Sequence, residues 1–332
     1  MDFELLEKLL EEEPKYRLNQ AKKAVFCDLI EDWHEVKALP KKLMEKLSEN
    51  FSLEIKSEIF KAANGKTAKA LLTLSDGLQT ETVLMEHEKD RNTVCVSSAV
   101  GCPMGCKFCA TGKMGFKRNL TKGEILTQLL VFARYLKSQG KKISNVVFMG
   151  MGEPFINYDN VLSAIKIIND KNGFGIGARK ISISTSGVIE GINKLAEEKL
   201  QINLAISLHA PNNQLRSEIM PINNRYPLEK VLEAVDSYIN KTSRKVMFEY
   251  LLLKDVNDSE IYAEQLANIM DRPLYMVNLI KYNPTGTFYS SDTKTIQKFK
   301  NILESRGVEV TQRYSFGTDI NAACGQLATD KA

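Results

Sequence analysis

Three cysteines, Cys102, Cys106 and Cys109, stand at C-x3-C-x2-C spacing in Gly101-Cys102-Pro103-Met104-Gly105-Cys106-Lys107-Phe108-Cys109-Ala110-Thr111-Gly112. Thiolates this close together suit a soft metal centre, and an iron–sulfur cluster ordinarily takes four of them. A cubane held by three keeps one iron open to a substrate. The spacing therefore points to a 4Fe-4S cluster with a free coordination site. A structural zinc would need a fourth ligand from a second C-x2-C or an H-x3–5-H pair. The histidines here, His34, His87 and His209, are each isolated. Disulfides would sit poorly in a chain whose composition looks intracellular.

Such a loop needs a scaffold, and the chain is long enough to build one. Its 332 residues allow one large domain and a small one, and 43% hydrophobic with 26% charged residues is ordinary for a soluble protein. The acidic start, Met1-Asp2-Phe3-Glu4, lacks the basic segment of a signal peptide. No apolar run is long enough for a membrane helix. A cytoplasmic, membrane-free location is expected. Charge is unevenly spread: residues 1–50 hold nine Lys/Arg against twelve Asp/Glu, a net of −3. Residues 101–125 hold Lys107, Lys113, Lys117, Arg118 and Lys122 against Glu124 alone, a net of +4. Positive charge beside the cysteines suits a phosphate-rich partner, although a solvated basic loop is the plainer alternative.

The positioning elements follow from periodicity. Residues 3–50 read as helices, with Phe3, Leu5, Leu6, Leu9 and Leu10 at helical spacing, the pattern repeated over 18–30, and a third helix opening after Leu39-Pro40. Cys27 is expected on the apolar face of the second. Strand patterns at 67–74 and 79–86 flank Asp76-Gly77, a hairpin turn signal. From residue 93, short apolar strands near 93–97, 144–149, 180–184, 202–207, 246–252, 275–281 and 307–312 alternate with helices near 122–138, 158–169, 188–198, 227–240, 258–271 and 292–305. That alternation implies parallel βαβ units, hence an α/β barrel or doubly wound sheet. The expected division is a helical and hairpin accessory domain over 1–90 and a core over 91–332. Active sites of parallel barrels form at the carboxyl ends of the strands. Polar groups fall there repeatedly: Cys95 to Ser98, Gly150 to Pro154, Ser184 to Gly187, Ser207-Leu208-His209, and Asn283-Pro284.

The cysteine loop resembles that of the radical S-adenosylmethionine (SAM) enzymes. Five further stretches make the likeness more specific: Phe148 to Pro154, Ser182 to Gly187, Ala205 to Pro211, Met220-Pro221-Ile222-Asn223 and Asp319 to Leu327. With Tyr16-Arg17-Leu18-Asn19-Gln20 they resemble, over nearly the whole chain, the radical SAM RNA adenine methyltransferases, the RlmN and Cfr family. The resemblance implies a partial parallel (β/α)6 barrel with a small N-terminal helical domain, a 4Fe-4S cluster on Cys102, Cys106 and Cys109, and SAM chelating the open iron and cleaved to a 5′-deoxyadenosyl radical. It implies 23S ribosomal RNA as substrate, with a tRNA anticodon-loop adenine as a second one. It also implies a monomer served by an electron donor such as a flavodoxin or ferredoxin. Gly152, Glu153, Ser184, Ser207, Leu208, His209 and Asn283 match SAM-contacting positions.

The same resemblance gives roles to three more residues. Cys324 matches a cysteine that is methylated by a first SAM and carries the methylene group, Cys95 the cysteine that resolves the RNA–protein adduct, and Glu81 a proton acceptor. The chemistry is coherent, because an adenine ring carbon is a poor nucleophile, whereas a radical on a methylated thiol can add to it. A second thiol then releases the product as a disulfide forms. Otherwise, Cys95 and Cys324 would be small buried hydrophobes, Glu81 a solvated strand charge, and His34 and His87 surface residues. Glu153-Pro154-Phe155-Ile156-Asn157-Tyr158 resembles the RlmN version, which acts at C2. Tyr314-Ser315-Phe316-Gly317 leans toward the Cfr version, which acts at C8 and confers antibiotic resistance. An activating enzyme for a glycyl-radical protein would lack a carrier cysteine, and a zinc-bearing RNA-binding scaffold would hold no iron.

Overall fold

The computed structural model describes residues 1, 3–313 and 315–329. Helices α1 (Phe3–Leu9), α2 (Lys15–Lys23) and α3 (Lys41–Asn50) come first, then β1 (Ser57–Lys61), β2 (Thr67–Thr73), β3 (Gln79–Glu86), β4 (Asn92–Cys95) and β5 (Ala99–Gly101). Next are α4 (Ala110–Lys113), β6 (Phe116–Asn119), α5 (Lys122–Lys137), β7 (Asn145–Phe148), α6 (Tyr158–Asn169), β8 (Ile181–Thr185) and α7 (Ile189–Ala196). The chain continues through β9 (Asn203–Ser207), α8 (Asn213–Ile219), α9 (Leu228–Thr242), β10 (Val246–Leu252), α10 (Glu260–Met270), β11 (Tyr275–Lys281), α11 (Thr293–Ser305) and β12 (Val310–Arg313).

Strands β4, β7, β8, β9, β10, β11 and β12 lie side by side and parallel, in chain order. The first six are each followed by helix, which gives the expected six β/α units, and β12 adds a parallel strand at the edge. The sheet is open, with β12 at one edge and β1 at the other. Helices cover one face and the concave face lines a cavity, so the strands alternate instead of being apolar throughout. In β8, Ile181, Ile183 and Thr185 are buried while Ser182 and Ser184 are half-buried.

Beyond β4 the sheet continues antiparallel through β3, β2 and β1. The expected division at residue 90 thus falls between two strands that hydrogen-bond to each other, with Val83 opposite Cys95. The N-terminal helices also join the main core, because Phe3, Leu6, Phe26, Trp33 and Phe51 belong to the same apolar cluster as Leu129, Ile165 and Val277. Sequence periodicity finds β2 and β3 but misses β1, whose residues are mostly exposed and so lack an apolar alternation.

Trp33 is packed, donating its indole N–H to the Phe51 carbonyl at 2.9 Å. Cys27 corrects its expectation. The helix loosens to a π turn over Ala24–Asp28, which turns Cys27 outward, where its thiol donates to the Gly173 carbonyl at 2.8 Å. His34 is exposed and His87 half-buried against Phe316.

The core helices start where local chemistry dictates. Thr121 and Glu124 form a capping box at α5: the Glu124 amide donates to Thr121 Oγ1 at 3.2 Å, and the Thr121 amide donates to the Glu124 carboxylate at 2.9 Å.

Candidate active site

The cysteine loop is an excursion pinned at its base. β5 pairs antiparallel with β6, and the Cys102 amide donates to the Gly115 carbonyl at 3.0 Å. Gly101 has φ +76, and a Cβ there would lie 1.9 Å from that carbonyl oxygen. Only glycine permits this closure. Across the loop, the Lys107 amide donates to the Ile219 carbonyl at 3.0 Å, tying the cysteines to α8.

Cys102, Cys106 and Cys109 are half-buried and line one cavity of about 170 Å³ together with Gly152, Ser184, Ser207 and His209. Burial pushes the Cys102 thiol up to about 12 and Cys106 well above its ordinary value. Thiolates there therefore require a compensating cation. Among the described residues, no three His, Cys, Asp or Glu side chains converge as a single ion would require. Three thiols lining one cavity would suit a polynuclear cluster with one open iron.

Gly152 (φ +98) lets the chain turn at the end of β7, where a Cβ would lie 2.7 Å from Ser98 Oγ and from Ala99 Cβ. Glu153 is buried, and its carboxylate accepts from the Ser186 amide (2.7 Å), the Ser186 hydroxyl (2.8 Å) and the Phe155 amide (3.1 Å). Burial still raises its pKa. Ser184 and Ser207 face each other across β8 and β9, their hydroxyl oxygens 3.3 Å apart.

Leu208 contributes its backbone: the side chain is in the core, and its amide donates to the Glu249 carbonyl at 3.0 Å. His209 sits at φ +58, with its ring edge-on to Phe108. Its Nδ1 accepts from the Leu251 amide at 3.1 Å, so the neutral ring carries its proton on Nε2. Burial, with the nearby Arg216 adding to it, lowers its pKa to about 3.

A second, smaller cavity of about 70 Å³ adjoins the first. Cys95, Cys324, Met149, Arg313, Cys109 and Asn283 are among its walls. Cys95 is buried and its thiol is pushed up to about 12 by desolvation, with the neighbouring Cys324 adding to this. Arg313 is held charged, first by Cys324 and then by Glu249 and Cys95. Cys95 and Cys324 thus share one small chamber although they come from opposite ends of the core. Asn283 donates to the Cys324 carbonyl at 3.3 Å, so here it holds the tail.

The tail is docked as far as it is described. The Ala110 amide donates to the Gly325 carbonyl at 2.7 Å and the Thr111 hydroxyl to the Leu327 carbonyl at 2.6 Å. Glu81 lies under it, fully buried and outside the walls of this chamber, so the solvated-charge expectation is corrected.

Sequence reasoning misses two cations. Arg216, fully buried in α8, donates to the carbonyls of Ser186 (2.7 Å), Ser207 (3.3 Å) and Leu208 (3.2 Å) and to Asn223 Oδ1 (2.8 Å). It cross-links the ends of β8 and β9. Arg313 reaches the chamber from β12. Neither has a sequence signal, because an arginine looks like surface until its burial is known. Of the five basic residues near the loop, Arg118 pairs with Asp76 and Glu124, Lys122 with Glu7, and Lys113 donates to the Thr285 carbonyl. Lys107 and Lys117 are exposed. Tyr314 lies outside the described residues.

Comparison with known proteins agrees with this geometry. Residues 96–264 match the radical SAM superfamily. The chain is 49% identical over 317 residues to a probable dual-specificity RNA methyltransferase RlmN of Dictyoglomus thermophilum, covering 95% of this chain and 91% of that protein. It is 45% identical over 326 residues to the ribosomal RNA large subunit methyltransferase N of Nitrosopumilus maritimus, covering 95% and 93%. The crystal structure of a radical SAM methyltransferase from Sphaerobacter thermophilus superposes with a TM-score of 0.94 at 42% identity, over 99% of this chain and 98% of that one. The chain belongs to the RlmN family of radical SAM RNA methyltransferases.

Proposed function

We propose that this protein methylates C2 of an adenine in 23S ribosomal RNA, and an anticodon-loop adenine of tRNA, with Cys324 as methyl carrier and Cys95 as resolving thiol. It works in the cytoplasm with an electron donor of the flavodoxin or ferredoxin class. Cys102, Cys106 and Cys109 would hold the 4Fe-4S cluster, with Gly152, Glu153, Ser184, Ser207, Leu208 and His209 around SAM. When bound, these groups supply a methyl donor and a carbon radical.

The observation that carries this reading is the shared chamber of Cys95 and Cys324, which opens beside Cys109. A chamber this small shields a reactive sulfur from water. Cys95, raised to about 12, stays a protonated thiol at neutral pH, so it does not compete for the methyl group. When Cys95 loses its proton late in the cycle, its sulfur can attack the sulfur of Cys324. That displacement breaks the bond between the Cys324 sulfur and the transferred carbon and leaves the two cysteines as a disulfide. The carbon takes up a proton to become the methyl group of the released base. Asn283 and the carbonyl of Cys324 fix the carrier's backbone. Lys107 and Lys117, exposed in and after the cysteine loop, would meet RNA phosphates.

The test is anaerobic reconstitution with SAM, reductant and a 23S fragment, followed by nucleoside mass spectrometry. The expected product is 2-methyladenosine, and Cys324→Ala should form none. An 8-methyl product would replace this assignment with the Cfr-type activity. Methylation by Cys324→Ala would rule out the carrier.

A further inference from the structure

Cys95, Val83, Glu81 and Lys69 lie on one face of the β2–β3–β4 sheet. Val83 stands opposite both Lys69 and Cys95, and Glu81 stands opposite Leu71, so Lys69 and Glu81 are diagonal neighbours. Lys69 Nζ is 2.9 Å from Glu81 Oε1, with 1% and 0% of the two side chains exposed. The other carboxylate oxygen, Oε2, accepts from the amides of Ala328 (2.8 Å) and Thr329 (3.1 Å). Those residues follow Cys324 by four and five positions, in a segment without regular secondary structure. Backbone amides donating to an ionised carboxylate make stronger bonds than neutral pairs do, and burial removes competing water.

We propose that Glu81, oriented by Lys69, is a positioning residue that docks the C-terminal tail and so seats Cys324 beside Cys95. The inference rests on reading those two cysteines as the working pair. In the docked tail the two amides take Oε2 of Glu81, while Oε1 faces Lys69 as an ion pair. Seating the carrier is the role these contacts give it while Cys324 occupies the chamber. Asn283, Ala110 and Thr111 add neutral hydrogen bonds to the tail. Before Cys324, the Ala63 amide donates to the Asp319 carboxylate at 2.7 Å. Among the described residues after Cys324, the Glu81 carboxylate is therefore the charged tether.

The test measures how closely the two thiols are held, without cluster, SAM or RNA. The full-length chain is equilibrated in glutathione redox buffers, where the two thiols give two electrons and two protons to glutathione disulfide. It leaves as two glutathione thiols, and the Cys95–Cys324 linkage is quantified by peptide mass spectrometry. Three variants are compared with wild type: Lys69→Met/Glu81→Gln, a chain ending at Leu327, and the two combined. Circular dichroism checks folding, and the shortened chain keeps the ion pair intact should the double substitution fail to fold.

Each change is expected to lower the effective concentration of the pair at least about tenfold, the size of one lost charged hydrogen bond. The combination should lower it no further, since both remove one interaction. An unchanged equilibrium in the shortened chain overturns the proposal, and so do additive losses. Because RNA takes no part, failure here is separate from failure of the methyltransferase assignment.

Discussion

Lys69 and Glu81 meet 2.9 Å apart with 1% and 0% of their side chains exposed, on neighbouring strands beneath the tail that carries Cys324. A buried pair of this kind is fragile to the loss of one member, because without Lys69 the buried Glu81 charge keeps only the two amide donors of the tail. Lys69→Met should destabilise the protein by about 3–5 kcal/mol, and adding Glu81→Gln should recover most of that loss. Urea unfolding of the two variants beside wild type checks this. A single variant as stable as wild type would show that the pair is solvated.

Arg216 should behave as a structural cation of the site. Arg216→Met strips donors from the carbonyls of Ser186, Ser207 and Leu208. A loss of at least about 2 kcal/mol is expected, since buried acceptors left unpaired are costly. Arg216→Lys should not restore it, because an ammonium cannot spread across the same fork of partners. Thermal unfolding and SAM binding by calorimetry would both report the defect, and rescue by lysine would refute the geometric argument.

His209 predicts an acid-side weakness. Its folded pKa is about 3 against an ordinary 6.5. Between those values the unfolded chain binds a proton that the folded chain does not. Its stabilising share is therefore complete above pH 6.5 and shrinks as pH falls, by about 1.4 kcal/mol per pH unit. Comparing wild type with His209→Gln by urea unfolding at pH 7.5 and pH 5.5 isolates this residue. The wild-type protein should lose more stability over that interval, and equal losses would place the ring in water.

Cys95 should be inert to alkylation while the fold is intact. Its thiol, raised to about 12 from 9.0, has roughly a thousandfold less thiolate near pH 8 than an ordinary cysteine. Iodoacetamide at pH 8 should label exposed Cys27 and spare Cys95 until urea is added, as read by peptide mass spectrometry. Early labelling of Cys95 would show an open chamber.

If Lys107 and Lys117 meet RNA phosphates, replacing both by alanine should weaken RNA binding across sequences. It should also flatten its salt dependence, by about one unit of slope per lost contact. Arg118→Ala should leave the slope unchanged, because Asp76 and Glu124 already hold that side chain. Filter binding across a salt series distinguishes the two.

The cysteine triad, the alternation of strands and helices and the polar groups at strand ends were legible in the chain itself. Each depends on spacing along one segment, and local periodicity reports that directly. The resemblance of whole stretches then named the family and paired Cys95 with Cys324. Less was legible where burial decides the meaning of a polar residue. Glu81 reads as a solvated charge until Lys69 and the tail enclose it, and Cys27 reads as core until the π turn rotates it outward. Arg216 and Arg313 carry no pattern at all.

What the sequence determined by itself, then, is the cysteine spacing and the order of elements, since both are set by neighbours a few residues apart. What the tertiary structure alone decided is which distant groups share a chamber or a bond. Cys324 reaches Cys95, and the Ala328 and Thr329 amides reach Glu81, only because β3 extends the parallel sheet and the tail folds back across it. Contacts between residues so far apart depend on the packing of the whole sheet, and no local pattern of side chains encodes them.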